Sequence, residues 1–232
     1  MKTKILKRTT VYLLIAIAGY LAVGYLLHLV IFPESKPEVS TFFKPHDEFY
    51  SKVEGFKQFV EKQENGYVYC AAEIGPLAIG PPKHIHTKFD EQFEVLNGEL
   101  TLWIDGEIKK IRPGEKVLVP RGTPHKPYNE TNELIKIKGT VAFPEKFAYH
   151  LPQVYGVMED TPDFGASPAV MLQMALFNRS GFDSYIAEGP PVVIQKATGF
   201  LLVPLARLLG YKSYYAKYDI NLRNNNKVTK HQ

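Results

Sequence analysis

The sequence predicts an all-β centre, a sandwich or small barrel, carried behind one transmembrane helix and followed by a helical extension. Three observations predict it. Residues 11–32 carry no formal charge at pH 7, turn-forming pairs recur between residues 67 and 143, and beyond residue 145 come a capped helix start and a long apolar stretch. With 232 residues, 45% of them hydrophobic, the chain can bury one sizeable core and carry elements outside it.

As a helix rising ~1.5 Å per residue, the segment 11–32 crosses the ~30 Å hydrocarbon layer. It is longer than the apolar core of about 7 to 15 residues found in a secretory signal. Ala16 and Ala18 come too early to mark a cleavage site, and Ala22 with Gly24 leaves further apolar turns downstream. An uncleaved anchor is expected, with a cleaved signal as the alternative. Lys2, Lys4, Lys7 and Arg8 all precede the run, so the positive-inside bias holds the amino terminus in the cytoplasm and the remainder outside. His28 is expected at the interface, near the helix end. Residues 33–60, with Pro33, Pro37, Pro45 and mixed charge, are expected to form a linker. The expected organisation is an anchor over 1–32, the linker, a barrel over 61–145, and a helical extension over 146–232.

Those first four basic residues account for the whole formal charge of +4, leaving the rest neutral. The tail from Lys212 onward adds Lys217, Arg223, Lys227 and Lys230 against Asp219 alone. Basic charge therefore sits at both ends, and the folded centre is not a nucleic-acid binder by charge. Cys70, the only cysteine, excludes an internal disulfide. It lies in the apolar run YVYCAAEI and is expected to be a buried thiol.

In the centre, Asn97-Gly98 and Asp105-Gly106 bracket ELTLWI, while Pro113-Gly114, Pro120 and Gly122 mark later turns. Strands so closely spaced, without helical runs between them, indicate a sandwich or barrel. His84 and His86 stand two residues apart and share one face of a strand. Glu91 begins the next strand, and His125 follows on a distant one. Phe89, Phe93 and Trp103 are expected in the core. Asp90, Gln92 and Glu94 are expected at the surface or beside the ligating residues, with contact between Gln92 and a bound molecule as the alternative, and Asn129 is expected as a turn residue bonding to backbone.

These residues resemble the cupin superfamily. Its first motif, HxH followed by Glu and then Gly, is matched at His84, His86, Glu91 and Gly98; its second, GxxxxxPxGxxHxxxN, at Gly114, Pro120, Gly122, His125 and Asn129. Ala78 stands where the family's leading glycine would fall. The resemblance covers about residues 66–143. It implies a double-stranded β-helix, or jelly roll, holding a divalent metal through His84, His86, Glu91 and His125. Three imidazoles and one carboxylate suit first-row metals, with iron or manganese expected and nickel, copper or zinc as alternatives. Many cupins with this ligand set are dioxygenases, decarboxylases or isomerases, and related barrels serve as sensors and storage proteins. A metal-dependent oxidoreductase acting on a small oxygenated or anionic molecule is therefore expected, with a non-catalytic binding module as the alternative.

Beyond the barrel, Ser167 and Pro168 suit an N-cap and a first helical position. The apolar segment 190–210 contains Lys196, Pro204 and Arg207. It is expected to lie on the membrane or pack on the barrel, the two cations snorkelling to headgroups, with a second span as the alternative. Expected partners are thus a small-molecule ligand and membrane lipid, without nucleic acid; a homo-oligomer is left open.

Overall fold

Among the residues that the computed structural model describes, 2–161 and 167–222, eleven strands form two antiparallel sheets. Arg223, Lys227 and Lys230 of the basic tail lie outside the described residues. The strands are β1 (Glu48–Ser51), β2 (Phe56–Glu64), β3 (Tyr67–Ile74), β4 (His84–Ile85), β5 (Glu91–Asn97), β6 (Leu100–Ile104), β7 (Glu107–Ile111), β8 (Lys116–Val119), β9 (His125–Tyr128), β10 (Ile135–Pro144) and β11 (Tyr185–Ile186). One sheet runs β1-β2-β3-β10-β5-β8 and the other β11-β4-β9-β6-β7.

Strand alternation decides what each sheet buries. β3 turns Val68, Cys70, Ala72 and Ile74 inward, and β5 turns Glu91, Phe93 and Val95 the same way. Each large apolar side chain so buried stabilises the fold by ~1.5–3 kcal/mol. Burial, helped by the charge of Glu61, pushes the Cys70 thiol up to about 12, so it is an inert core group. Asp105 (φ 47°) and Gly106 (φ 96°) both take the left-handed conformation of a two-residue hairpin turn between β6 and β7.

The strands begin earlier than the linker expectation allowed. β1 and the start of β2 lie within 33–60, and Phe42 and Phe43 are buried there, Phe42 packing edge-on to Tyr149 at 4.7 Å. β1 has only Phe49 and Ser51 to turn inward, too short an alternation to stand out between prolines. Trp103 also differs from expectation. Leu100 and Leu102 take the inward positions of β6, leaving the indole half-buried on the outer face with Lys83 Nζ 4.4 Å above it.

The amino-terminal helix α1 (Lys2–Ala22) continues through a π-helical turn, Val23–Leu27, into α2 (His28–Ile31). Ile5–Ile31, 27 residues with a mean hydropathy of 2.2 over its most apolar 18-residue stretch, is long and apolar enough to cross a membrane, a description that a signal sequence also meets. α3 (Glu145–Asp160) buries residues on nearly every side, packing against β1, β3 and β10. α4 (Pro168–Ser180) starts at the expected cap, where Ser167 Oγ accepts from the Ala169 amide at 3.2 Å.

The apolar segment forms α5 (Val192–Leu208), packed against α4 and the π turn. Tyr20 and Tyr25 hydroxyls donate to the Leu201 and Phe200 carbonyls at 2.6 and 2.7 Å. The backbones approach so closely that a Cβ on Gly24 would lie 2.1 Å from Pro204 Cβ. The two cations of α5 make protein contacts where headgroup snorkelling was expected. Arg207 donates to the Gly24 carbonyl at 2.6 Å, and Lys196 to Thr87 Oγ1 at 3.0 Å. The reason is proximity: tight helix packing brings acceptors within reach of both side chains.

Candidate metal centre

Pairing of β4 with β9 sets His84 directly opposite His125. His86 follows β4, and Glu91 is the first inward position of β5. All four side chains are at least nine-tenths buried and offer ligand atoms that lie within 4.8 Å of one another.

Backbone carbonyls fix the three imidazoles. Nδ1 of His84 donates to Pro82 O at 2.8 Å, that of His86 to Asp183 O at 2.6 Å, and that of His125 to Thr123 O at 3.0 Å. A carbonyl can only accept, so Nδ1 carries the proton in each neutral ring and Nε2 keeps a free lone pair. Those lone pairs converge. His84 Nε2 lies 3.1 Å from His86 Nε2, and Glu91 Oε2 lies 2.8 Å from His125 Nε2 and 3.4 Å from His86 Nε2. Such a convergence of acceptors needs positive charge in its midst, and three nitrogens with one carboxylate oxygen are a donor set that can hold a divalent ion.

The electrostatics agree. Burial and the neighbouring His86 and His125 rings hold the His84 pKa well below its ordinary value, keeping that ring neutral. For His125, burial works the same way, but the Glu91 carboxylate outweighs it and raises the pKa. Burial alone would push Glu91 up; the close approach of the His125 and His86 rings prevails and keeps it well below the usual carboxylate range. Glu91 is therefore anionic through the physiological range.

Two supports surround the cluster: Phe89, expected in the core, with Phe147, and Asp183, which no sequence signal marks. Phe89 stacks on His86 at 4.3 Å and Phe147 of α3 meets the same ring edge-on at 5.0 Å, shielding it from water. Asp183, in the loop after α4, accepts from the Thr87 and Lys88 amides, each at 2.6 Å, and from Thr87 Oγ1 at 2.7 Å. Its carboxylate clamps the chain just after the histidine pair, while its carbonyl orients His86. Asp183→Ala is expected to weaken metal affinity by ~10- to 100-fold with the barrel still folded, as loss of such outer support does elsewhere. Titration with a competing chelator measures it; unchanged affinity would contradict the clamp.

Other candidates fall where strand alternation puts them. Gln92 lies on the face of β5 opposite Glu91, away from the cluster. Asp90 accepts from Arg121 at the surface. Asn129 is the expected turn residue, donating to Gly75 O and Glu133 O, both at 2.7 Å, and accepting from the Thr131 amide.

The cluster opens on a cavity of about 870 Å³ between the barrel interior and helices α3, α4 and α5. Glu54, Gln58 and Tyr155 also line it. Burial pushes the Glu54 carboxyl up to about 8, so it is largely protonated at neutral pH.

Two antiparallel sheets surround an inward cluster of three histidines and one glutamate, and residues 72–140 match the family model described as Cupin domain. The match supports placing the barrel in the cupin superfamily. Among curated proteins, quercetin 2,3-dioxygenase of Bacillus subtilis is 31% identical over 65 residues, 28% of this chain and 19% of that protein. An Aspergillus niger protein named "Probable oxidoreductase yanE" is 28% identical over 158 residues, 61% of this chain and 60% of that one. The chain thus spans less than two thirds of either relative. Among solved structures, a cupin-2 domain containing protein from Shewanella frigidimarina has 25% identity and a TM-score of 0.32, covering 38% of this chain and 78% of its own.

Proposed function

We propose that the chain is a membrane-anchored cupin that holds one divalent metal through His84, His86, Glu91 and His125 and acts as a metal-dependent oxidoreductase on an oxygenated or anionic molecule. The observation that carries this is the convergence of three Nε2 lone pairs, each ring locked by its Nδ1 hydrogen bond, on the Glu91 carboxylate. The similarity to a dioxygenase and an oxidoreductase supports the reaction class.

A redox-active ion such as iron or manganese, with coordination positions left by four protein ligands, would supply electron transfer and polarise a substrate oxygen. The remaining roles belong to the chain. Neutral imidazoles and one carboxylate leave a net charge of about +1 with a divalent ion, which favours an oxyanion or enolate. Phe89 and Phe147 exclude water from one side of His86. Glu54, largely protonated and lining the same cavity, is placed to exchange a proton with a bound molecule.

The protein is to be loaded separately with iron, manganese and zinc and its oxygen uptake recorded against catechols, flavonols, diketones and sugar acids. Uptake with iron or manganese, lost in Glu91→Ala, is expected. Saturable binding of one compound without uptake under any metal would instead identify a binding module.

The four basic residues ahead of the uncharged run 11–32 support a cytoplasmic amino terminus and an extracytoplasmic barrel. Protease added to intact cells or spheroplasts is then expected to digest the barrel. A mature chain beginning near Pro33 and free of the membrane would contradict the anchor.

A further inference from the structure

The cavity is far larger than a catechol or a sugar acid requires, and its chemistry is divided. At about 870 Å³ it lies near the upper end of ligand pockets. The His84, His86 and Glu91 side chains line its barrel end, with Glu54 and Tyr155 beside them. Away from that end the walls are mainly apolar, built from α3, α4 and α5 with Leu151, Val154, Val170, Met174 and Phe200 among them.

This apolar part adjoins the amino-terminal helix. Phe200 lines the cavity and also stacks on Tyr25 of the π turn, ring centroids 5.0 Å apart and planes 15° apart. On the outside of α5, Val193, Ile194 and Leu201 are at least half exposed, as are most large apolar residues of α1. One helix therefore forms the cavity wall on one side and continues the apolar surface of the candidate span on the other. Cations line the cavity too. Lys196 donates to the neutral Thr87 hydroxyl, and the Arg179 guanidinium lies over Tyr25 and Phe200 at 5.7 and 5.8 Å, so both charges are available to an anion.

We propose that the cavity takes a long-chain anionic amphiphile drawn from the bilayer, its oxygenated head at the His84/His86/Glu91 wall and its chain between α3, α4 and α5. The proposal rests on the metal-site and anchor assignments above and names their substrate class. A chain of that kind fills the apolar volume, which a small polar solute would leave wetted at a cost, and the anionic head meets both the site's net positive charge and Lys196, whose bond to Thr87 holds it beside His86.

The test uses the full chain, zinc-loaded, in phosphatidylcholine nanodiscs, with palmitic acid bearing a terminal diazirine as photoprobe and an octanoic acid diazirine supplied from water as the second arm. Adducts of the long probe are expected on residues facing the cavity, such as Met174 and Val154, with several-fold less from the short probe. Met174→Trp, which puts an indole into the chain's path, is expected to cut the cavity adducts at least fivefold while bound zinc per chain stays unchanged. Long-probe adducts confined to α1 and the outer face of α5, or equal cavity labelling by the octanoic probe, would overturn the proposal. Zinc content is read on the same samples, so an absent metal would count against the site assignment and not against the occupant of the cavity.

Discussion

Replacing His125 with Ala is expected to reduce bound metal from near one per chain to near zero. His125 contributes the Nε2 nearest to Glu91 Oε2, at 2.8 Å, and its ring is 1% exposed. Its loss removes one of four donors and leaves the Glu91 carboxylate facing an alanine methyl group. Affinity should fall by more than the ~10- to 100-fold that loss of an outer hydrogen bond costs. The barrel should remain folded, because its core is an apolar cluster running through both sheets and α3, unlike a zinc finger, which needs its metal to fold. Elemental analysis with far-ultraviolet circular dichroism separates the two effects. Full metal content in a folded His125→Ala protein would contradict the ligand assignment.

The second large effect concerns Glu54 and the pH dependence of stability. Its carboxyl titrates at about 8 in the folded chain against an ordinary value of 4.5, because burial disfavours the anion. Between those values the native state keeps a proton that the unfolded chain has released, so stability falls as pH rises from about 4.5 to about 8. At pH 7 the cost approaches ~3 kcal/mol, taking 1.36 kcal/mol for each pH unit above 4.5. Glu54→Gln, nearly isosteric and never charged, should therefore be more stable than the wild type at pH 7 by up to that amount, with the gain vanishing below pH 4.5. Urea unfolding at pH 4, 7 and 8 measures it. A difference independent of pH would mean that Glu54 does not keep its proton. The same substitution would remove the cavity's exchangeable proton, so a gain in stability with a loss of turnover would link the strain to the chemistry.

The convergence of His84, His86, Glu91 and His125 is legible in the sequence because its determinants are local. A spacing of two on a strand pairs His84 with His86, and Gly98, Gly114 and Gly122 all take positive φ, at 79°, 86° and 85°, where the motif requires turns. Ala78, the one departure from the motif, is not among the residues with positive φ; the left-handed positions there are Leu77 at 52° and Gly80 at 69°. The missing glycine thus imposes no backbone strain at that point. What the sequence leaves unmarked depends on contacts distant in sequence. Asp183 serves residues almost a hundred positions away, and no spacing marks it. α3 is buried on almost every side, so it lacks the polar stripe that identifies a surface helix and hid its role as a wall of the cavity. β1 and the start of β2 read as linker because prolines and mixed charge surround a short alternation whose burial comes from β3 and α3. The helix α5 was recognised as apolar, but its neighbours are specified by a glycine and two tyrosines in the amino-terminal helix, which look unremarkable within a membrane-crossing sequence.

The most direct test of the central claim is X-ray absorption spectroscopy on the full-length protein reconstituted with iron or zinc, with metal content measured on the same sample. The account predicts one ion per chain, with a first shell of nitrogen and oxygen at ~2.0–2.2 Å and multiple scattering from three imidazoles. An ion bound at full occupancy without imidazole scattering, or no ion retained from any of the divalent metals offered, would contradict it.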